Sequence, residues 1–205
     1  MKKINLSALA GIFGLFLVTC SQVFALGLGG TVQLGGGSGE QTLDNGSVSY
    51  DEDIDFGTFN IGFTLDTALT DENFFNYRLG VGLETLVIES EFGVDTDLSG
   101  IFVSNDFGFS VYSNSKTRVW LGPQVKVGLY TGDNDFNEDI AIVTFGVGPV
   151  VGANFKTGSN LVLAVKAGLI FHSYAGEAEN SGGWLYDIDG DATVFIVNFS
   201  LFYDM

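Results

Sequence analysis

Eight stretches of this chain alternate apolar and polar residues with a period of two, and no stretch holds a helical period for long. A period of two marks a strand whose two faces meet different surroundings. In one stretch Phe59, Ile61, Phe63 and Leu65 share a face, and Thr58, Asn60, Gly62 and Thr64 share the other. In the next, Tyr77, Leu79, Val81 and Leu83 oppose Arg78, Gly80, Gly82 and Glu84. The pattern returns over 119–129, 143–151 and 161–169, and less regularly over 101–111. It opens with Leu26, Leu28, Val32 and Leu34 and closes with Phe195, Val197, Phe199, Leu201 and Tyr203. The connections read as alternately long (35–53, 89–99, 131–139, 174–191) and short (66–73, 113–116, 157–160), the last two short ones rich in Gly, Ser and Asn. Loops on one rim and turns on the other predict an all-β fold, an eight-stranded antiparallel up-and-down transmembrane β-barrel.

Composition narrows the class. The 205 residues include 25 acidic and 8 basic side chains, a formal net charge of −17, yet only 16% are charged and 46% are hydrophobic. Such hydrophobicity excludes intrinsic disorder, and such acidity argues against a nucleic-acid partner. One Cys excludes a disulfide framework, and one His with one Cys argues against a zinc site or a His-based catalytic centre. The first residues read as an address. Met1-Lys2-Lys3 is basic, an apolar run follows from Leu9 to Val18, and Val23-Phe24-Ala25 suits a cleavage site. The expected division is a signal peptide over 1–25 and a barrel domain over 26–205. A retained anchor would need about 20 apolar residues. Lipidation at Cys20 is the other alternative, although Thr19 departs from the small residue usual there.

Alternation alone does not say which face looks outward. A soluble carrier barrel would point its apolar face inward and cover its outside with Lys and Glu. Here the polar face is mainly Gly, Ser, Thr and Asn with isolated charges, which suits a narrow interior. The end of the chain carries a resemblance. Phe199, Leu201, Tyr203 and Met205 alternate toward the terminus like the last strand of outer-membrane barrels, with Met205 where a Phe is usual. Together with the eight-strand pattern, the chain resembles the small bacterial outer-membrane barrels of the OmpX, OmpW and OmpA-membrane-domain type. That resemblance implies a monomer exported to the bacterial outer membrane, surrounded by its lipid, and inserted by the barrel assembly machinery, which reads the last strand.

The charges sort by location. Most acidic residues fall in or beside the four long connections, which hold no Lys or Arg. Three runs place carboxylates at alternate positions: Asp51, Asp53 and Asp55; Asp133 and Asp135; Asp187, Asp189 and Asp191. These are hard oxygen ligands and candidates for weak Ca²⁺ binding. Twelve-residue loops are excluded, because no closing Glu stands at Gly62, Thr144 or Asn198. On the polar faces, Arg78, Glu84, Asp106, Lys126 and Lys166 form a candidate lumen cluster, with Glu84 and Asp106 expected to pair with Lys126 and close the bore. Lys126→Met would then strand two carboxylates. Pro123 and Pro149 are expected to oppose each other and to bend the wall. His172 and Ser173 are adjacent on a strand, so they point to opposite faces and no catalytic residue is expected. A surface-interaction protein with a filled lumen is the leading expectation, then a narrow solute channel, then a soluble carrier.

Overall fold

The computed structural model describes residues 27–70, 73–136, 138–158, 160–179, 182–183 and 185–205. The expected signal peptide, with Cys20, lies outside the described residues. Eight strands follow in chain order: β1 (Gly27–Asp44), β2 (Ser49–Asp66), β3 (Phe75–Ser90), β4 (Asp95–Ser113), β5 (Thr117–Asn134), β6 (Asp139–Lys156), β7 (Leu161–Glu179) and β8 (Leu185–Asp204). Each pairs antiparallel with its neighbours, and β1 pairs with β8, so the sheet closes. Closure leaves no strand edge unpaired, the condition for a sheet to exist in hydrocarbon.

The strands are longer than the sequence pattern suggested. The connections read as long loops are 45–48, 91–94, 135–138 and 180–184. The acidic stretches assigned to loops are therefore wall, and the real turns are tight. Gly46, Gly93 and Gly183 sit in three of these turns at φ 80°, 74° and 77°, a conformation costly for any residue with a Cβ. In the first turn the Asp44 carboxylate accepts from Gly46 N–H at 2.7 Å, and Asn45 Oδ1 accepts from the N–H groups of Ser47 and Val48. At the other rim, which carries the start of β1 and the end of β8, the connections are 67–74, 114–116 and 157–160. An 18-residue strand is ~60 Å long and, tilted as barrel strands are, rises ~45 Å. A lipid-facing band is only ~25 Å tall. Roughly 20 Å of wall therefore exceeds the height of such a band.

The side chains divide the barrel at that height. In the lower zone the outward residues are apolar and exposed, among them Leu28, Val32, Phe59, Ile61, Phe63, Val81, Leu83, Leu129, Phe145, Leu163 and Phe199. The inward ones are mainly polar, with Trp120, Val162, Ala164 and Phe202 buried among them. Above it, in a zone we call the collar, the pattern inverts. Ile54, Phe56, Leu86, Ile88, Leu98, Ile140, Ile142, Ile170, Ile188 and Val194 point inward as one buried cluster. Asp51, Asp53, Asp55, Glu89, Asp97, Asp133, Asp139, Glu177 and Asp191 point outward and are exposed. Strand β2 shows the switch directly. Its outward residues run Leu65, Phe63, Ile61, Phe59, Gly57, Asp55, Asp53, Asp51, while its inward ones run Asp66, Thr64, Gly62, Asn60, Thr58, Phe56, Ile54, Glu52. Burying each Ile, Leu or Phe in the collar contributes about 1.5–3 kcal/mol. The collar thus has a core of its own, where a small-residue polar lumen was expected throughout.

Pro123 and Pro149 do lie opposite each other in the β5–β6 register. The ladders on the far side of each are interrupted, between Asp106↔Gln124 and Phe109↔Leu121 and between Val147↔Phe171 and Val150↔Gly168. The register does not shift there, because a missing proline N–H removes a bond without adding a residue. The register shift lies elsewhere, between Ser110 and Tyr112 near the lower rim.

Candidate functional site

The interior of the lower zone holds buried ion pairs. Lys126 Nζ lies 2.5 Å from Glu84 Oε1, and Lys166 Nζ lies 2.8 Å from Asp106 Oδ2. Arg78 meets Asp66 Oδ2 through Nε at 3.0 Å and Nη2 at 2.5 Å. All six side chains are buried. Asn60 Nδ2 and the Tyr130 hydroxyl also donate to Glu84. The expected pairing of Asp106 with Lys126 is corrected: Asp106 reaches across the bore to Lys166 on β7, and Lys126 on β5 is left to Glu84. Lys126→Met therefore strands one carboxylate, not two.

Asp66 belongs to this cluster and was read as the start of a turn. Its signal was present, since it continues the polar face of β2 and stands directly across from Arg78. The segment that follows it turns into the barrel mouth. Ala68, Leu69 and Thr70 are buried, and Leu69 packs with Val162, Ala164 and Phe202. Three polar groups hold it there. Arg118 Nη1 donates to Ala68 O at 2.7 Å, Asn154 Nδ2 donates to Leu69 O at 2.7 Å, and Asp66 Oδ1 accepts from Ala68 N–H at 3.0 Å. Arg78 also donates to Asn154 Oδ1 at 3.0 Å and lies over the rings of Trp120 and Phe202, 5.1 and 5.0 Å from their centroids. Trp120 is fully buried, with 0% of its surface exposed. Its indole lies over the space that the neighbouring Gly152 leaves open; a Cβ at Gly152 would stand 2.4 Å from the ring. The polar gap left between Thr31, Gln33, Asn60, Arg78 and Lys166 has room for about one water.

The carboxylates proposed as cation ligands occupy different ground. Asp51, Asp53 and Asp55 lie in β2, Asp133 in β5, Asp187, Asp189 and Asp191 in β8, and Asp135 in a turn. Alternate residues on a strand point the same way but stand ~7 Å apart. No group of three or more potential ligands converges among the described residues. They form a belt instead. Each of the eight strand seams sets one carboxylate directly opposite another: Glu40↔Asp53, Asp55↔Glu89, Glu89↔Asp95, Asp97↔Asp133, Asp133↔Asp139, Asp139↔Glu179, Glu177↔Asp187 and Asp191↔Glu40. Like charges directly opposite on a sheet repel. Added salt screens exposed charges, so the barrel is expected to unfold at higher urea in physiological than in low ionic strength. An unchanged or lower midpoint would count against belt repulsion.

His172 is buried and its ring stacks on Phe56, 5.6 Å between centroids, while Ser173 is exposed on the outer wall. The two do not meet. Phe199, Leu201 and Tyr203 are exposed on the outer face of β8, and Met205 follows its end.

A closed ring of eight antiparallel up-and-down strands with an apolar outer band is the architecture of the small outer-membrane barrels. Among solved structures the chain is similar to the outer membrane protein OprG from Pseudomonas aeruginosa, with a TM-score of 0.65 and 11% identity over 88% of this chain and 95% of that one. It aligns more loosely with Ail, the attachment invasion locus protein of Yersinia pestis, with a TM-score of 0.35 and 12% identity over 86% of this chain and 99% of that one. No protein-family model matches the sequence, and no curated protein matches it significantly.

Proposed function

We propose that this chain is an integral outer-membrane protein with a closed bore, whose collar stands above the membrane as a rigid surface for interaction. The observation that carries this reading is the filling of the lower zone. Three buried ion pairs, the Trp120 indole and the Leu69 segment occupy the path a solute would take. The belt fits the same reading. A charged side chain on the lipid face is costly at mid-bilayer, about 2–4 kcal/mol for Arg or Lys and less for Asp or Glu, so an acidic ring resists sinking of the barrel past it. In this account the chain acts as a monomer without catalysis, is exported by the 1–25 leader, and is inserted by the assembly machinery through Phe199, Leu201, Tyr203 and Met205.

Planar-bilayer recording tests the closed bore. The refolded protein, checked for heat-modifiable gel mobility, is expected to insert without discrete conductance steps. Regular steps from the folded species would favour the narrow channel instead. Recovery in the periplasmic fraction without detergent would favour a soluble carrier.

A further inference from the structure

We propose that the mouth of the collar is a binding pocket for a small organic ammonium ion with an apolar body. A cavity of about 220 Å³ opens at the outer end of the bore, separate from the filled lower zone. It is smaller than the pockets that hold drug-sized ligands. Its walls include Ile88, Ile140, Ile142 and Ile188, and its rim carries Tyr50, Phe92 and Phe136. Phe92 and Phe136 are 62% and 67% exposed, although each could have been a polar turn residue. Tyr50 and Phe92 stand with ring centroids 5.6 Å apart.

Two carboxylates point into this apolar space. Glu52 is buried in the wall, where Gln41 Nε2 donates to Oε1 at 2.5 Å and the Ser90 hydroxyl donates to Oε2. Glu138 Oε2 accepts from Asn134 Nδ2 at 2.8 Å and from the Tyr186 hydroxyl. Burial and the adjoining Glu138 hold the Tyr186 phenol above the ordinary tyrosine range, so it stays a donor. All four of these donors are neutral. Among the described residues neither carboxylate has an ion-pair partner, and the basic residues Arg78, Lys116, Arg118, Lys126, Lys156 and Lys166 all lie below the collar.

A buried charge is costly unless it is paired, and here the countercharge has to come from outside. An organic ammonium ion supplies it, while its body meets the isoleucines and its face meets the aromatic rim through cation–π attraction. A calcium ion fits poorly, since it takes 6–8 oxygen ligands and no group of three or more potential metal ligands converges among the described residues. An anion would be repelled, and a neutral apolar molecule would leave both charges unmatched.

Calorimetry on the refolded full chain in a nonionic detergent tests this, with benzyltrimethylammonium as probe against benzyl alcohol and phenylacetate. The ammonium ion is expected to bind saturably, one per chain, and the other two at least about tenfold more weakly, a difference of about 1.4 kcal/mol. Glu52→Gln and Glu138→Gln remove the charge while keeping one acceptor oxygen, and should each weaken the ammonium ion by about tenfold or more. Asp53→Asn, on the outer belt, should leave its binding unchanged. Absence of saturable heat, equal binding of benzyl alcohol, or unchanged binding in both glutamine variants would overturn the proposal. So would a loss in Asp53→Asn equal to that in Glu138→Gln, which would assign the cation to the belt. If Glu52→Gln does not refold, Glu138→Gln and the comparison of probes decide.

Discussion

Arg78→Leu is expected to destabilise the barrel by about 3–5 kcal/mol, the cost of breaking a buried ion pair on one side. Four contacts disappear together. Asp66 loses its countercharge while remaining fully buried, and Asn154 loses one of its donors. The rings of Trp120 and Phe202 lose the guanidinium lying over them. Asp66 also holds the Leu69 segment through Ala68 N–H, so the damage reaches the lower mouth. Urea unfolding in lipid vesicles, followed by tryptophan fluorescence, measures the loss. The double variant Arg78→Leu/Asp66→Asn removes the stranded charge and keeps an acceptor for Ala68, and it should recover a large part of the midpoint. Such recovery is a coupling between the two sites. A midpoint for Arg78→Leu close to that of the parent would refute the claim that these pairs hold the bore together.

The second large effect separates the two zones on one face of one strand. Ile61→Arg puts a charge in the lipid band, between Phe59 and Phe63, and should cost about 2–4 kcal/mol. Asp53→Arg lies on the same face of β2, beyond the switch at Gly57, and should leave stability unchanged or improve it slightly. There the arginine would stand opposite Glu40, replacing a repulsion with an attraction. Equal damage from both substitutions would mean that the wall is lipid-facing throughout its height.

The strand count and the direction of the lower faces were legible because alternation is local. A face reads itself in every second residue. The collar was misread for an equally physical reason. Acidic residues were taken as marks of loops, which holds only while a strand's outer face meets lipid. Once β2 leaves the membrane its outer face meets water, and Asp51, Asp53 and Asp55 are ordinary strand residues. The inversion could have been seen in the same run, where Ile54 and Phe56 change phase relative to Phe59 and Ile61. Asn45-Gly46 was a hairpin signal inside a segment read as a long loop.

The ion pairs divide in the same way. Arg78 and Asp66 are direct partners in a hairpin and could be matched from sequence. Glu84 with Lys126 was expected from the polar faces of β3 and β5 and is found, whereas Asp106 with Lys166 joins strands that are not neighbours, and only the closure and width of the barrel bring them together. The mouth pocket has the same origin, because Glu52 from β2 and Glu138 from the connection before β6 share a cavity that no single segment announces.

The central claim is that one wall serves two media, with lipid outside its lower zone and water outside its collar. Single cysteines at outward positions, introduced with Cys20 replaced by serine, test it in intact cells. Treatment with a membrane-impermeant maleimide is expected to label Asp53→Cys, Ala141→Cys and Asp189→Cys. Ile61→Cys, Val81→Cys and Leu129→Cys should react only after the membrane is dissolved. Protection of the first three, or ready labelling of the second three in folded protein, would contradict the two-zone barrel.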